Sequence, residues 1–490
     1  MIRSIVINNY RSIEHLDLPF GPMNAFAGPN NSVKSNVLRA LDTVIGSTWP
    51  SRPFADWDFF QHDTTRTIEI TVLFDAALQC DQTVHGFRLA YDLAHGVDYS
   101  AVDDVGNQVF AFGNRPKRVS NDMRDEVALL YLELDRQSEK QLRPSGWTLY
   151  GKLLRKIEAG LPAADRTAFV ADVSAAIAAR LQAHLNPIQQ TISDLVQRQT
   201  GLGVQLSFRL LDPMETLKGV RPYVVDPPMN SDPDDVGAGV QSAIAIAVAK
   251  AYADIVRQPL MIAIEEPELF LHPHGMRHFY RLLREFSNNG VQIVYATHER
   301  AFVSAGNHES VHIVRKTNGR TSVTSGSTIA LPQGQAGLQL QSRFNDRLNE
   351  AFFASAVVLV EGDADEIACK CAFDALGVQI DRDSISILGL GGIREIPVVA
   401  RLLVAFGIPT VALVDQDPGN PNTVAATAQI TAAVGGANVF QQIPNIETLF
   451  GLPNKPSRVD AMTVFPGWFQ ANAVPQVHQD LSNRVTAIRI

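Results

Sequence analysis

Residues 24–35 read Asn-Ala-Phe-Ala-Gly-Pro-Asn-Asn-Ser-Val-Lys-Ser, an apolar run that leads into a short loop and a Lys-Ser pair. The residues that follow, up to about 45, carry apolar side chains at helical spacing. A strand, a tight loop and a helix start are typical of a phosphate-binding loop, because backbone N–H groups at a helix N-terminus attract anions. This stretch therefore predicts an α/β fold with a nucleotide-binding loop.

The composition of this loop predicts ATP bound together with Mg²⁺. We expect Lys34 to reach the outer phosphates and the Ser35 hydroxyl to bind the ion. Val33 stands where such loops usually carry glycine, and a β-branched residue resists left-handed backbone angles. Weak ATP binding, slow hydrolysis or no hydrolysis are therefore all open. The loop residues predicted to contact ATP are Gly28, Asn30, Asn31, Ser32, Lys34 and Ser35.

Two later apolar runs end in polar residues that would complete this site. Residues 260–264 are followed by Glu265 and Glu266, and residues 293–297 by His298. Adjacent carboxylates at the end of a buried strand are costly unless they serve a metal ion or a proton transfer. We expect Glu265 to lie in the Mg²⁺ shell, Glu266 to act as the base that polarises water, and His298 to sense the γ-phosphate.

A second set of acids follows two apolar runs near the C-terminus. Glu361 follows residues 357–360, and Asp415 and Asp417 follow residues 410–414. Strand-end carboxylates of a parallel sheet meet at one edge, and packing them together is unfavourable unless cations neutralise them. Two Mg²⁺ or Mn²⁺ ions roughly 4 Å apart can activate water and stabilise the leaving oxygen of a phosphodiester. The sequence therefore predicts a two-metal phosphodiester hydrolase.

Bulk properties restrict the partners and the compartment. The net charge of −9 argues against a uniformly basic nucleic-acid wrapper, so DNA contacts require local basic patches or metal ions. Three cysteines are too few for a disulfide framework. The N-terminal residues lack an apolar signal core, and no stretch reaches the ~18 apolar residues of a membrane helix. We expect a cytoplasmic protein that does not bind a membrane.

The first set of motifs resembles the ABC/SMC/RecF-type ATPase heads. Asn9-Tyr-Arg-Ser12 is similar to the N-F-[KR]-S opening of that family, and residues 265–273 are similar to its Walker B motif and D-loop. Residues 237–242 stand at the place of the signature motif without matching LSGGQ. In the family this segment contacts the nucleotide of a second head. The resemblance implies ATP contacts from Gly239 and Gln241, and a homodimer or a higher homo-oligomer.

The second set of motifs resembles the Toprim domain, whose marks are a glutamate-glycine strand end and a D-x-D pair. An ABC head followed by a Toprim domain is the architecture of the OLD (overcoming lysogenization defect) family nucleases. The resemblance implies an ATP-binding, divalent-metal-dependent DNA endonuclease or nickase, a link to anti-phage defence, and a partner protein encoded nearby as a further candidate.

The family pattern leaves some ligands open. Toprim sites of this family often read E-G-x-x-E, whereas this chain has Asp365 at that position and Glu366 beside it. Glu447 fits a further family glutamate, and Lys455 or Arg458 is the candidate for a basic residue late in the site. The predicted metal ligands are Glu361, Asp365, Glu366, Asp415, Asp417 and Glu447, with Ser35 at the ATP site.

The expected organisation is an α/β chain in which a helical insertion divides the ATPase head. A polar, Gly/Ser/Gln-rich stretch at 317–343 favours a linker after the head. The domains are the head's first part at 1–115, the insertion and candidate dimerisation arm at 116–201, the head's second part at 202–330, a linker at 331–352 and a Rossmann-like Toprim domain at 353–490.

Features of the sequence disfavour three other functions. The alternative is a RecF-like DNA-repair scaffold without nuclease activity, which the intact acids Glu361, Asp415 and Asp417 disfavour. A transporter ATPase would carry LSGGQ. A topoisomerase would need a domain for a strand-attacking tyrosine, and none is recognisable in the sequence.

Overall fold

The computed structural model describes residues 1–29, 33–51, 54–111, 113–133, 144–145, 148–206, 213–227, 229–256, 259–269, 271–303, 305–330, 348–417 and 419–489. Their contacts divide the chain into two compact units. The first unit comprises Met1–Ile45, Pro50–Arg124 and Met261–Ile490, and the second comprises Gly46–Trp49 and Asp125–Leu260. Among the described helices, none combines the length and the apolar character that crossing a lipid bilayer requires.

The strands and helices are numbered in chain order. The strands are β1 (Ile2–Tyr10), β2 (Ile13–Pro19), β3 (Met23–Ala27), β4 (Ile68–Phe74), β5 (Gly86–Asp92), β6 (Gly96–Val102), β7 (Phe110–Ala111), β8 (Arg115–Pro116), β9 (Ala128–Leu132), β10 (Val224–Asp226), β11 (Met229–Ser231), β12 (Leu260–Glu265), β13 (Gln292–Thr297), β14 (Val311–Thr317), β15 (Arg320–Ser325), β16 (Ala356–Val360), β17 (Ile385–Gly389), β18 (Thr410–Asp415) and β19 (Val439–Gln442). The helices are α1 (Ser35–Ile45), α2 (Asn121–Asp125), α3 (Leu149–Ala159), α4 (Ala163–Arg180), α5 (Gln182–Thr200), α6 (Pro213–Leu217), α7 (Ala238–Val256), α8 (Pro273–Asn288), α9 (Asp363–Ala375), α10 (Ile396–Ala405), α11 (Pro421–Val434), α12 (Ile446–Phe450), α13 (Arg458–Ala471) and α14 (Gln476–Ile488).

An antiparallel sheet opens the first unit, with the strand order β2-β1-β4-β5-β6. In β1 the side chains of Ile5 and Ile7 are buried while their neighbours are partly exposed, which is the alternation of a half-buried strand. The apolar runs at 5–7 and 16–18 and the period-two alternation at 67–75 predict strands, and β1, β2 and β4 confirm them.

The sheet that carries the nucleotide loop has the neighbouring strands β15-β14-β3-β13-β12 within the first unit. The strands β12, β13, β3 and β14 run parallel, and every residue of β3, β12 and β13 is buried. Ala27 of β3 pairs with Thr297 of β13, and Glu265 of β12 pairs with Ala296. Three predicted strand ends therefore finish at one edge, as the all-apolar runs predicted.

The hairpin that follows corrects the expectation of a linker over 317–343. Residues 320–325 form β15, which pairs antiparallel with β14. The turn between them has left-handed φ angles at Asn318 (52°) and Gly319 (80°), the conformation of a two-residue hairpin turn that Asn-Gly favours. The Asn-Gly dipeptide was the feature of the sequence that could have predicted this hairpin. Residues 331–343 of the expected linker lie outside the described residues.

The C-terminal sheet is fully parallel, with the order β17-β16-β18-β19. Its strands β16 and β18 coincide, within one residue, with the apolar runs predicted at 357–360 and 410–414. In the register, Asp415 at the end of β18 pairs with Gln442 at the end of β19. The carboxyl ends of β16, β18 and β19 thus face one edge, where ligands bind in sheets of this kind.

One hydrophobic core joins the head's sheet to the C-terminal sheet. Ala27 and Val311 of the head belong to the same buried cluster as Leu359 and Ala412 of the C-terminal sheet. A 3-10 helix at Leu348–Phe353 supplies Phe352 to this cluster, and Phe352 is fully buried. The two sheets therefore share one buried interior within the first unit.

Helices dominate the described part of the second unit. The helical pattern expected from about 121 to 200 is confirmed between 149 and 200, where α3, α4 and α5 lie, and neither α4 nor α5 buries a side chain. Residues 128–132, expected to be helical, form the buried strand β9. A run of five apolar residues fits a buried strand as well as a helix, so periodicity alone could not separate the two. A proline within a helical pattern predicts a break, but Pro187 lies inside α5.

Candidate functional site

The nucleotide loop leads from β3 into α1. Gly28 has a φ of 152°, and Val33 has a left-handed φ of 63°. α1 begins at Ser35, as the sequence predicted to within one residue. Asn30, Asn31 and Ser32 lie outside the described residues. The structure thus places Gly28, Lys34 and Ser35 between the end of β3 and the first turn of α1.

Lys34 is buried at the centre of this loop. Its Nζ donates hydrogen bonds to the carbonyl oxygens of Gly28 at 3.1 Å and Pro29 at 3.2 Å. Burial lowers the pKa of Lys34 to about 8, although the charges of Glu266 and Glu268 oppose this shift. Lys34 therefore stabilises the loop through these two hydrogen bonds. A further anion close to Nζ would raise its lowered pKa.

His298 and Glu266 lie beside Lys34. The Nδ1 atom of His298 is 3.2 Å from Lys34 Nζ, and its Nε2 atom is 3.8 Å from Glu266 Oε1. Burial, together with the charge of Lys34, lowers the pKa of His298 to about 4. The imidazole is therefore neutral near pH 7, and a neutral ring can donate one hydrogen bond and accept another.

Glu265 and Glu268 flank this group on the adjacent strand end. Glu265 is buried, and its Oε1 lies 3.4 Å from Nε of Arg39 on α1. Glu268 accepts hydrogen bonds from the Thr297 hydroxyl at 2.9 Å and from the His298 N–H at 2.7 Å. Burial raises the pKa of Glu268. Sequence reasoning gave Glu268 no role, although it stands in the same Glu-Glu-Pro-Glu run.

Arg11 is a further residue that the sequence analysis left without a role. Its Nε lies 2.7 Å from Asp58 Oδ1, and its Nη1 donates to Asn36 Oδ1 at 3.2 Å. Asn36 belongs to the first turn of α1, so the guanidinium reaches the end of the helix where the loop arrives. The motif Asn9-Tyr-Arg-Ser12 was the signal that could have identified it.

Gly239 and Gln241 belong to the second unit. They lie in the first turn of α7, and Nε2 of Gln241 donates to the Val236 carbonyl at 2.9 Å. Both residues are half-buried in this unit. The small and apolar residues after Gly239 predict a helix, which α7 confirms.

The C-terminal acids converge at the edge of the parallel sheet. Glu361, directly after β16, accepts a hydrogen bond from the backbone N–H of Asp415 through Oε1 at 2.8 Å. Lys455 Nζ lies 3.1 Å from Asp365 Oδ2 and 3.4 Å from Asp415 Oδ2. Gln442 Nε2 donates to Oδ1 of the same two aspartates, at 2.9 and 3.3 Å. Acids from two chain segments, 361–365 and 415, therefore meet at one place.

The electrostatics of this cluster disfavour its ionised form. Burial raises the pKa of Asp415 to about 7, with Asp365 and Glu361 adding to the shift and Lys455 opposing it. Burial also raises the pKa of Glu361, and Asp365 and Asp417 add to this shift. For Lys455, the carboxylates of Asp365 and Asp415 outweigh the effect of burial and raise its pKa. Added positive charge would stabilise the ionised acids.

The side chains of Glu366 and Asp365 contact different residues. The Oε2 atom of Glu366 accepts from the Gly389 N–H at 3.0 Å, and its Oε1 accepts from Lys370 Nζ at 2.8 Å. Asp365 shares its contacts with Asp415, because Gln442 and Lys455 each contact both aspartates. The structure thus favours Asp365 where the family pattern left a choice.

The remaining candidates lie around the cluster. Asp417 is half-buried, has a φ of 40° and donates its backbone N–H to the Pro444 carbonyl at 2.9 Å. Glu447 is half-buried in the first turn of α12. Arg458 pairs with Asp363 at 3.6 Å, so Lys455 is the basic residue that contacts the paired aspartates.

The donor set suits a hard divalent cation. Over the ranges that the structure describes, no three acidic, histidine or cysteine side chains already form a metal-binding group. The Lys455 ammonium instead lies between the two aspartates. Buried carboxylate oxygens that repel one another are the ligands that Mg²⁺ and Mn²⁺ prefer, so the residues present fit such an ion.

Family models match both parts of the chain. Residues 1–124 match an AAA ATPase domain, and residues 215–304 match the model described as AAA domain, putative AbiEii toxin, Type IV TA system. Residues 352–417 match the model described as Overcoming lysogenization defect protein-like, TOPRIM domain. An ATPase head followed by a TOPRIM domain is therefore the organisation of this chain.

Whole-chain relatives agree with these matches. The chain is 30% identical over 498 residues to an OLD nuclease of Thermus scotoductus, and the match covers 94% of each chain. It is 20% identical over 466 residues to the Old nuclease of Escherichia phage P2, covering 85% of this chain and 77% of the phage protein. Among solved structures, an SMC head domain from Thermotoga maritima covers 66% of this chain and 98% of its own, at 14% identity and a TM-score of 0.32.

Proposed function

Since this chain belongs to the OLD family of nucleases, we propose that it cuts or nicks DNA with a divalent-metal-dependent site in its TOPRIM domain, under the control of ATP. The observation that supports this most strongly is the meeting of acids far apart in sequence. Glu361 Oε1 accepts the N–H of Asp415, 54 residues away, at 2.8 Å, and Asp365 faces Asp415 across one lysine and one glutamine.

Glu361, Asp365 and Asp415 are the residues that would hold Mg²⁺ or Mn²⁺, with Asp417 and Glu447 as further candidates nearby. Bound divalent cations supply Lewis acidity and a water that ionises near neutral pH. Asp415 has to lose its proton to bind a cation, and its pKa of about 7 puts that loss in the physiological range. Lys455, whose side chain is 37% exposed, would turn from the acids towards a phosphate when a cation binds.

The nicking of supercoiled plasmid in Mg²⁺ or Mn²⁺ tests this proposal. We expect Asp415→Asn to lower the nicking rate at least a hundredfold, because the variant loses a charged ligand and leaves Glu361 and Asp365 facing a neutral amide. Asp374→Asn, an exposed acid on the same domain, is the matched control and should cut like the wild type.

The outcomes separate the two candidate functions. Failure of the wild type to cut under any divalent cation, with DNA binding retained, would favour the RecF-like scaffold and reject the nuclease. Equal cutting by wild type and Asp415→Asn would place the reacting centre elsewhere in the chain.

The head is proposed to bind ATP with Mg²⁺. Lys34 would hold the outer phosphates and Ser35 the ion, because they occupy the start of α1 next to the loop. Glu265 would belong to the Mg²⁺ shell, Glu266 would orient water, and His298 would contact the γ-phosphate as a neutral ring. Slow hydrolysis is expected, since Val33 stands in the loop with a left-handed φ.

We also propose that the chain self-associates. On α5, Ile188 and Leu195 are seven residues apart and 53% and 55% exposed, and Ile192 on the same face is 37% exposed. A stripe of this kind is typical of a helix that pairs with another copy. Light scattering should then return at least twice the chain mass of 53.5 kDa. A measured mass of one chain, with and without ATP, would reject this proposal.

A role in anti-phage defence is proposed from family membership. If it holds, cells that express the wild-type chain should resist phage infection, and cells that express Asp415→Asn should be as sensitive as cells without the gene.

A further inference from the structure

Gln442 occupies an unusual position at the end of β19. Its side chain is fully buried, and it pairs in register with Asp415. Its Nε2 donates one hydrogen bond to Asp365 Oδ1 at 2.9 Å and another to Asp415 Oδ1 at 3.3 Å. Among the described residues, none forms a hydrogen bond with its buried Oε1. Only the amino group of an amide can face two carboxylates, since its carbonyl oxygen would repel both.

Two groups therefore bridge the same pair of aspartates, from different sides of the carboxylates. Gln442 contacts the Oδ1 atoms, whereas Lys455 contacts the Oδ2 atoms at 3.1 and 3.4 Å. The glutamine is neutral, buried and fixed on a strand. The lysine is charged, 37% exposed and carried on a long flexible side chain.

We propose that Gln442 is a positioning residue of the metal site. Its amide holds Asp365 and Asp415 at a fixed separation and turns both Oδ2 atoms to one side, where a divalent cation would bind in place of the Lys455 ammonium. This rests on the proposed function, because it assigns Asp365 and Asp415 to the cation. Gln442 itself touches neither the cation nor DNA.

The chemistry explains why glutamine serves here. A methionine of similar length would donate nothing. Asp415 would keep the hydrogen bond from the Ile446 N–H to its Oδ1 at 2.9 Å, and Lys455 alone would still bridge Asp365 to Asp415. A glutamate would add a third negative charge to a buried pair. Groups that orient metal ligands typically change metal affinity roughly 10–100-fold when they are removed.

Titration of the full-length protein with Mn²⁺, without nucleotide or DNA, tests this assignment. We expect Gln442→Met to weaken Mn²⁺ binding roughly 10–100-fold. Gln441→Met is the matched control, because the preceding side chain lies on the opposite face of the strand and is only half-buried. Its Mn²⁺ affinity should stay within about twofold of the wild type.

A kinetic measurement separates positioning from general damage. In the nicking assay, Gln442→Met should raise the Mn²⁺ concentration needed for half-maximal rate, while saturating Mn²⁺ restores most of the maximal rate. A merely structural role would lower the melting temperature and the maximal rate together and would leave the metal requirement unchanged.

The outcomes are distinguishable from those of the proposed function. If the wild type binds Mn²⁺ and Asp415→Asn does not, the metal site stands, and equal binding by Gln442→Met would overturn the role of Gln442 alone. If the wild type binds no Mn²⁺, both fail. Should Gln442→Met not fold, the wild-type side-chain amide signal of Gln442 decides by NMR. It should stay protected from solvent exchange when Mg²⁺ is added, and its loss would overturn the inference.

Discussion

Val33 is the residue at which the nucleotide loop departs most from the usual pattern. Its φ of 63° is left-handed, and Lys34 follows it directly. In this region the Cβ atom approaches the backbone carbonyl, and a non-glycine residue there costs about 1–3 kcal/mol. The strain therefore lies beside the residue that is proposed to hold the phosphates, where it opposes the loop geometry that ATP requires.

Substitution of Val33 tests whether this strain limits the head. We expect Val33→Gly to raise the rate of ATP hydrolysis roughly fivefold or more, because glycine adopts the left-handed angle without a clash. The hydrolysis rate of Val33→Ala should lie between those of the wild type and Val33→Gly, since alanine keeps the Cβ atom but has no branch there. Phosphate release measures the series. Brisk hydrolysis by the wild type, or a slower glycine variant, would contradict the account.

At the scale of the element, the protonation of Lys34, between the loop and α1, should make ATP binding depend on pH. Burial lowers the pKa of Lys34 to about 8, and bound phosphates would raise it again by favouring the charged ammonium. Binding ATP above about pH 8 should therefore take up a proton, and affinity should fall as the pH rises further. Calorimetry in buffers of different ionisation enthalpy measures the uptake. Uptake that persists in Lys34→Met would assign the proton to another group.

The strands β3, β12, β13, β16 and β18 could be predicted because they are fully buried apolar runs. The strand β19 was not predicted, since most of its residues are only half-buried. The run before Glu361 and the run before Asp415 became β16 and β18, and their parallel ends brought the acids together as expected. β15 was missed because its residues are polar, and only the Asn318-Gly319 turn marks it. Local turn chemistry carried information that hydrophobic periodicity did not.

The detailed geometry of the acid site could not be predicted from the sequence. Asp365 and Glu366 are consecutive on α9 and point about 100° apart, so the seating of that helix on the sheet decides which one meets Asp415. Gln442 and Lys455 come from segments that only the tertiary structure brings to the aspartates. A glutamine at a strand end has no sequence pattern that distinguishes it from any other polar residue.

At the scale of the whole first unit, the shared core predicts that the head's sheet and the C-terminal sheet unfold together. Phe352 lies in the cluster that contains Ala27 of one sheet and Leu359 of the other. Phe352→Ala should destabilise this unit by about 3–5 kcal/mol, because it leaves a cavity between the sheets. Phe110→Ala is the control, since that ring is 54% exposed. Scanning calorimetry should show one shifted transition for this unit, and a transition confined to the C-terminal sheet would contradict a common core.

The most direct test of the account is the anomalous diffraction of crystals soaked in Mn²⁺. We expect an anomalous peak roughly 2–2.5 Å from carboxylate oxygens of Asp365 and Asp415, near Glu361, with Lys455 moved away from both aspartates. A Lys455 ammonium that stays between the two aspartates at saturating Mn²⁺, with no peak beside them, would contradict the claim that these acids form a divalent-cation site.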